Sequence, residues 1–436
     1  MATHSVTADA HTPVVKVPLG YAWVIFALTF GLLISDYMSR QVLNAVFPLL
    51  KAEWALTDTQ LGSLSGIVAL MVGLLTFPLS LLAEWFGRVR SIVAMAVLWS
   101  LATLGCAVAQ SFDQMLLARF LVGLGEAAYG SVGIAVVISV FPVNMRATLA
   151  GAFMAGGMAG SVLGVALGGV FAAQFGWRAA FAAMAVFGLV LAILYPLIVR
   201  ESRITGPKTT AVAGAPRPSF RRSLVSLVST PSVLCAYVGS GLQLFISGAM
   251  IVWMPSYLNR YHGMAPDKAA VTAAGLLLLS GAGMVLWGMF SDRLSRRAPE
   301  RKATLAIVLC LLCCVLLSIA FRMPAGPTQL LVIAAGLFVA AGVTGPSGAM
   351  VANLTDAAVH GAAFAALTLA NNLLGLAPGP IATGALADRL GLDVAFQVIP
   401  LISIAAALVF WIARRNYLSD LSGRAENAAL SSSTAA

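Results

Sequence analysis

Apolar blocks of about 20 residues or more recur a dozen times along this chain, broken only by short charged clusters. At a rise of about 1.5 Å per residue, one such block matches ~30 Å of hydrocarbon, the thickness of a bilayer core. The blocks are rich in Ala, Leu, Val and Gly and lack the ten-residue alternation of a membrane barrel, so they predict packed spanning helices. Composition agrees. With 60% hydrophobic and 10% charged residues, against roughly 45–50% and about 25% in soluble domains, the chain cannot clothe itself in polar surface. Its formal charge of +10 collects at helix ends and forms no basic face interleaved with aromatics. That pattern reads as membrane topology and excludes nucleic acid as a partner.

Apolar runs and their breakers place spans at 20–47, 60–83, 91–109, 114–140, 147–173 and 178–199. A second set follows at 230–257, 268–290, 303–321, 328–351, 360–386 and 393–413. Residues 200–229, with Pro207, Pro216, Pro218, Lys208, Arg221 and Arg222, are the long internal polar stretch and read as a linker. The expected organisation is a tail (1–19), a six-helix bundle (20–199), the linker, a second bundle (230–414) and a tail (415–436). A cytoplasmic linker puts Lys16, Arg88, Arg90, Arg146, Arg200 and the clusters Arg293–Lys302 and Arg414–Arg424 inside, leaving Lys51, Arg178, Arg260, Lys268, Arg322 and Arg389 outside. This asymmetry predicts both termini in the cytoplasm, in a cell (inner) membrane. The polar stretch before Pro18 lacks a basic region leading into a short apolar core, so no cleavable signal peptide is expected.

Enzyme chemistry finds no footing. No His lies inside a span, no Ser or Cys has a placed base, and no phosphate loop occurs. Cys310, Cys313 and Cys314 sit in an apolar run with no nearby His or acid and read as small core residues. No metal and no cofactor is expected.

The two sets of spans repeat each other. Gly169-Val-Phe-Ala-Ala-Gln-Phe-Gly176-Trp-Arg-Ala-Ala-Phe181 aligns with Gly384-Ala-Leu-Ala-Asp-Arg-Leu-Gly391-Leu-Asp-Val-Ala-Phe396, and Ser80-Leu-Leu-Ala-Glu84-Trp-Phe-Gly87-Arg88 echoes Gly288-Met-Phe-Ser-Asp292-Arg293-Leu-Ser-Arg296. Duplicated bundles are how carriers build alternating access. On these loops the chain resembles the major facilitator superfamily, whose signature after its second helix is Gly-x-Leu-Ala-Asp-Arg-x-Gly-Arg. Ser80, Glu84 and Trp85 depart from it, while Leu82, Ala83, Gly87 and Arg88 fit. The resemblance implies an all-α membrane fold of twelve helices in two pseudo-repeats. It also implies gating roles for Glu84, Gly87, Arg88, Asp292, Arg293 and Arg296. Arg119-Phe-Leu-Val-Gly-Leu-Gly125-Glu126-Ala-Ala-Tyr129 and Asn372-Leu-Leu-Gly375-Leu-Ala-Pro-Gly379-Pro380 resemble the spinster-like and anion:cation symporter branches. The fifth span carries the glycine frame of the drug/proton antiporter motif at Gly151, Gly160, Gly164, Gly168 and Gly169. Val165 stands there for its proline, so close helix packing is the simpler reading.

Four ionisable side chains lie within the first six spans, Asp36, Arg40, Arg119 and Glu126, and none lies at comparable depth in the last six. Such a charge at mid-membrane costs at least ~2.5–3.5 kcal/mol and needs a partner, water or ligand. Asp36 and Arg40 are one turn apart, Arg119 and Glu126 two turns apart, so each pair shares a helix face. Counting from the span centres at about 1.5 Å per residue sets both arginines in one tier and both acids in another, nearer the middle. The arginines suit an anionic head. The acids suit a proton, because burial and a second carboxylate favour the protonated form. The resembled motif reads Tyr-Met-Asp-Arg, whereas this chain has Tyr37-Met38-Ser39-Arg40. Tyr37, Tyr129, Gln243, Asn371 and Asn372 complete the expected substrate contacts, with Trp253, Tyr257 and Asn353 as weaker candidates.

The expectation is a monomeric secondary transporter that moves a small organic anion with protons. Alternatives are a spinster-like exporter of lysolipid or another amphiphile, proton-coupled drug or metabolite efflux, and a transporter-like sensor or passive channel.

Overall fold

The computed structural model describes residues 17–204, 230–296, 298–356 and 359–433. Among them, twelve helices are long and apolar enough to cross a membrane: α1 (Leu19–Trp54), α2 (Asp58–Phe86), α3 (Arg88–Val108), α4 (Phe112–Val140), α5 (Asn144–Phe175), α6 (Trp177–Ile198), α7 (Pro231–Tyr261), α8 (Pro266–Leu294), α9 (Arg301–Ala320), α10 (Pro327–Leu354), α11 (His360–Leu390) and α12 (Leu392–Arg424). Every predicted span begins within three residues of one of these helices. No strand occurs among the described residues.

Two expectations change at the ends of the apolar runs. The tail expected from residue 415 is helical, because the last helix continues unbroken to Ser433. It is docked: Tyr417 is buried and accepts a hydrogen bond from Asn353, Asp420 accepts one from the Ser232 backbone, and Arg424 pairs with Asp356. The expected linker begins with a helical turn at Glu201–Ile204, whose Ile204 is buried. Linker residues 205–229, with all of its prolines, lie outside the described residues.

The pseudo-repeat has a backbone counterpart. Gly176 and Gly391, aligned by sequence, join α5 to α6 and α11 to α12 with φ of 84° and 89°, a region where a side chain is strained. Small residues also let helices approach closely. A Cβ on Gly160 or Gly164 of α5 would meet the α1 backbone at Ile34 or Met38 at 2.7 Å, which supports the packing reading of that glycine frame.

Odd-numbered helices start at the face that bears Leu19, called here the starting face, and even-numbered ones start at the opposite, far face. At the far face the first six helices are sealed to the last six. Cβ atoms added to Gly62 and Gly66 of α2 would lie 2.4 and 2.7 Å from carbonyl oxygens of Pro380 and Ala377 in α11, and one on Gly384 would lie 2.3 Å from the Asp58 carbonyl. Phe47 of α1 packs on Trp253 of α7 with ring centroids 5.2 Å apart.

Candidate functional site

The buried charges meet where helices are interrupted. Within α4 the regular helix stops at Glu126 and resumes at Tyr129. The Ala127 carbonyl freed there accepts the Thr76 hydroxyl at 2.7 Å and the Ala128 carbonyl that of Ser131 at 2.8 Å, so the break is satisfied as a membrane demands. Arg40 Nε lies 3.5 Å from Glu126 Oε2, with the arginine side chain 19% exposed and the glutamate 2%. Asp36, one turn before Arg40 on the same face of α1, is also buried. Arg40 Nη2 and both Glu126 oxygens have no hydrogen-bond partner, a rare state for buried polar atoms and one that leaves capacity for a ligand.

Arg119 is placed differently from Arg40. Fully buried, it donates Nε to the Leu64 carbonyl at 3.2 Å, Nη1 to that of Ser39 at 3.1 Å and Nη2 to that of Arg40 at 3.1 Å. Each of its three nitrogens makes one such bond, and the side chain is sealed from solvent. The guanidinium therefore ties α4 to α2 and to the very turn of α1 that carries Arg40.

The remaining sequence candidates divide. Tyr37 packs its ring on Gly157 and its Cβ on Gly160 of α5. Tyr129 is buried, donates to the Thr29 carbonyl at 2.6 Å and meets Trp99 edge-on. Gln243 is bonded inside the last six helices, to Cys313 Sγ at 3.4 Å and Ser403 Oγ at 3.1 Å, and is not brought to the charge cluster. Trp253 donates to the Pro380 carbonyl, Tyr257 accepts from Gln329, and Asn353 holds Tyr417. Asn371 and Asn372 stand at a π-helical turn of α11, Asn372–Leu376, where Ala377 N bonds back to the Asn372 carbonyl. Turns of this kind inside an α-helix concentrate at functional sites. Both asparagine Oδ1 atoms lack a partner.

Depth relates the two sides. A Cβ on Gly73 of α2 would touch the Asn372 side chain at 2.7 Å, and Thr76, one turn along, bonds to the carbonyl beside Glu126. Asn372 and Glu126 therefore lie at nearly the same level of the bundle.

A second constellation closes the far face, and sequence reasoning missed it. Asp58 accepts Arg260 Nη1 and Nη2 at 2.8 and 2.7 Å and Lys51 Nζ at 2.5 Å. Asp388 of α11 accepts the backbone N–H groups of Asp58 and Thr59 at 2.7 and 2.8 Å and the Thr59 hydroxyl at 2.6 Å, adding an anion at the N-terminus of α2. The available signal was Gly384-Ala-Leu-Ala-Asp388-Arg-Leu-Gly391, which fits the loop signature better than residues 80–88 do. At the starting face, Glu84, Asp292, Arg293 and Arg296 are exposed. Gly87 has φ of 94°, and Glu201 caps α3 by accepting the Arg88 and Val89 N–H groups at 2.9 and 2.7 Å. Arg88 also reaches the Ala135 carbonyl.

Residues 29–377 match the family model of the Major Facilitator Superfamily. The chain belongs to this superfamily. Its fold and family are those of transporters, not enzymes. The hexuronate transporter of Bacillus subtilis (strain 168) is 23% identical over 279 residues, which are 64% of this chain and 66% of the relative. The chain thus spans just under two-thirds of that relative's length. The cis,cis-muconate transport protein of Acinetobacter baylyi (strain ATCC 33305 / BD413 / ADP1) is 27% identical over 299 residues, 64% of this chain and 68% of the relative. Among solved structures, a bacterial homologue of the human lysosomal transporter spinster, inward-facing and unoccupied, superposes with a TM-score of 0.84 at 21% identity, covering 93% of this chain and 99% of that one.

Proposed function

We propose that this superfamily member carries a small organic carboxylate together with protons by alternating access between the two sets of six helices. The carrying observation is the buried Arg40–Glu126 pair at 3.5 Å, with buried Asp36 one turn from Arg40 on α1. Arg40 is the half of the pair that solvent reaches. A substrate carboxylate competes with Glu126 for that guanidinium, and Glu126, losing its cation, takes a proton. Substrate and proton therefore load together. The transported compounds named for the hexuronate and muconate relatives support an organic anion.

In this reading the starting face is cytoplasmic, because it gathers Arg88, Arg90, Arg146, Arg293, Arg296, Arg301, Arg414 and Arg415. The sealed far face makes this conformation inward-facing. The test is uptake into proteoliposomes under an inward proton gradient, beside counterflow of the same acid. Glu126→Gln is expected to abolish gradient-driven accumulation while counterflow stays within about threefold, since glutamine keeps the shape but cannot exchange a proton. Accumulation that survives the substitution rejects the coupling.

The far-face bonds act here as the outer gate. Asp388→Asn removes charge from three hydrogen bonds, each worth on the order of 1 kcal/mol. A cysteine placed at Phe47 is then expected to react several-fold faster with a membrane-impermeant thiol reagent added outside. An unchanged rate shows that the Asp388 cap is not part of the gate.

A further inference from the structure

We infer that the substrate carries a single carboxylate on an uncharged body that donates hydrogen bonds. This deepens the carrier reading above and rests on it.

The positive charge available at the site is one guanidinium. Of the two mid-span arginines, Arg119 is fully buried, with one bond from each nitrogen to the Leu64, Ser39 and Arg40 carbonyls. Arg40 alone of the two keeps a partly exposed side chain, 19%, and its buried Nη2 has no protein partner to compete with a ligand. From α7 to α12 the cations occur at helix ends: Arg260, Lys268, Arg293, Arg301, Lys302, His360, Arg389, Arg414 and Arg415. A second carboxylate on the substrate would find no second exposed cation at this depth, because Arg119 is fully buried against backbone carbonyls.

What it would find are acceptors. Asn372 uses its Nδ2 on the Thr368 carbonyl at 2.9 Å, which fixes the amide's orientation and leaves Oδ1 as its free end. Asn371 Oδ1 is likewise unpartnered. The contact of Asn372 with Gly73, one turn from Thr76 and its bond beside Glu126, sets these oxygens level with the charge cluster. Amide oxygens pair with hydroxyl groups and repel a carboxylate, so the same atoms select one class and reject the other. A buried, unpaired anion is a heavy penalty for a dianion. A hydroxylated monocarboxylate satisfies Arg40 at one end and the asparagine oxygens at the other.

The full-length wild-type chain in proteoliposomes, with a pH dye entrapped and the rate in protein-free liposomes subtracted, tests this by carrier-dependent proton entry on addition of each acid. Gluconate and glycerate carry one carboxylate with hydroxyls, glucarate carries two carboxylates with the same hydroxyls, and hexanoate carries one without any. At least one hydroxylated monocarboxylate is expected to drive proton entry ten times faster than both glucarate and hexanoate. Glucarate as fast as the monocarboxylates overturns the single head, and hexanoate as fast overturns the donor body; either result leaves the carrier reading standing. Silence from all four acids refutes the proton-coupled carrier reading itself, and this inference with it.

Discussion

Arg40→Gln is expected to lower carboxylate transport by about 100-fold or more while the purified protein melts close to the wild type. Two charge-assisted hydrogen bonds from a guanidinium fork to a carboxylate are worth about 3 kcal/mol or more, and each ~1.4 kcal/mol is a factor of ten. Glutamine at this position loses the charge and the fork together. Because the Arg40 side chain is partly exposed and its only ion pair is the 3.5 Å contact with Glu126, little of the fold depends on it. Lysine is expected to rescue only part of the flux, since it offers a point charge in place of a planar fork. Transport by Arg40→Gln at the wild-type rate would remove Arg40 from the site.

Arg119→Ala is expected to fail in the opposite way. This side chain is among the largest fully buried ones and joins three helices through three backbone carbonyls. Truncating a large buried side chain costs about 3–5 kcal/mol through lost contacts and the cavity left behind, to which the lost hydrogen bonds add. The expected outcome is a protein with a sharply lower melting temperature, its flux failing because the turn of α1 under Arg40 is no longer held. Melting is followed by size-exclusion chromatography of heated samples, for Arg119→Ala beside Arg40→Gln. If Arg119→Ala melts like the wild type and loses only substrate binding, Arg119 is a direct ligand and the assignment of the two arginines here is reversed.

The twelve helices were legible because each bilayer crossing demands a long apolar block, and nothing else in such a chain resembles one. The charge cluster was legible for a related reason. Charges at mid-span are rare and costly, and helical spacing alone put Asp36 with Arg40 and Arg119 with Glu126 on shared faces. What Arg119 does with its fork was not legible, because that depends on how closely α4 crosses α1 and α2, a matter of side-chain packing. The position of Gln243 was hidden likewise: a polar residue in a cavity-lining helix can face inward or, as here, join Cys313 and Ser403. Asp388 carried a visible motif, but its partner is the start of α2, 330 residues away. That the tail after Arg415 stays helical was not legible, because polarity marks the edge of the membrane without marking the end of a helix that docks on its neighbours.

In the proposed cycle Arg40 passes between Glu126 and the substrate, so that carboxylate binding draws in a proton. Calorimetric titration of the wild-type protein, with the hydroxy acid that gives the fastest flux, tests this directly when run near neutral pH in two buffers of different ionisation enthalpy. The expected result is uptake of about one proton per acid bound, with affinity rising as pH falls. Equal heats in both buffers and an affinity independent of pH would contradict it.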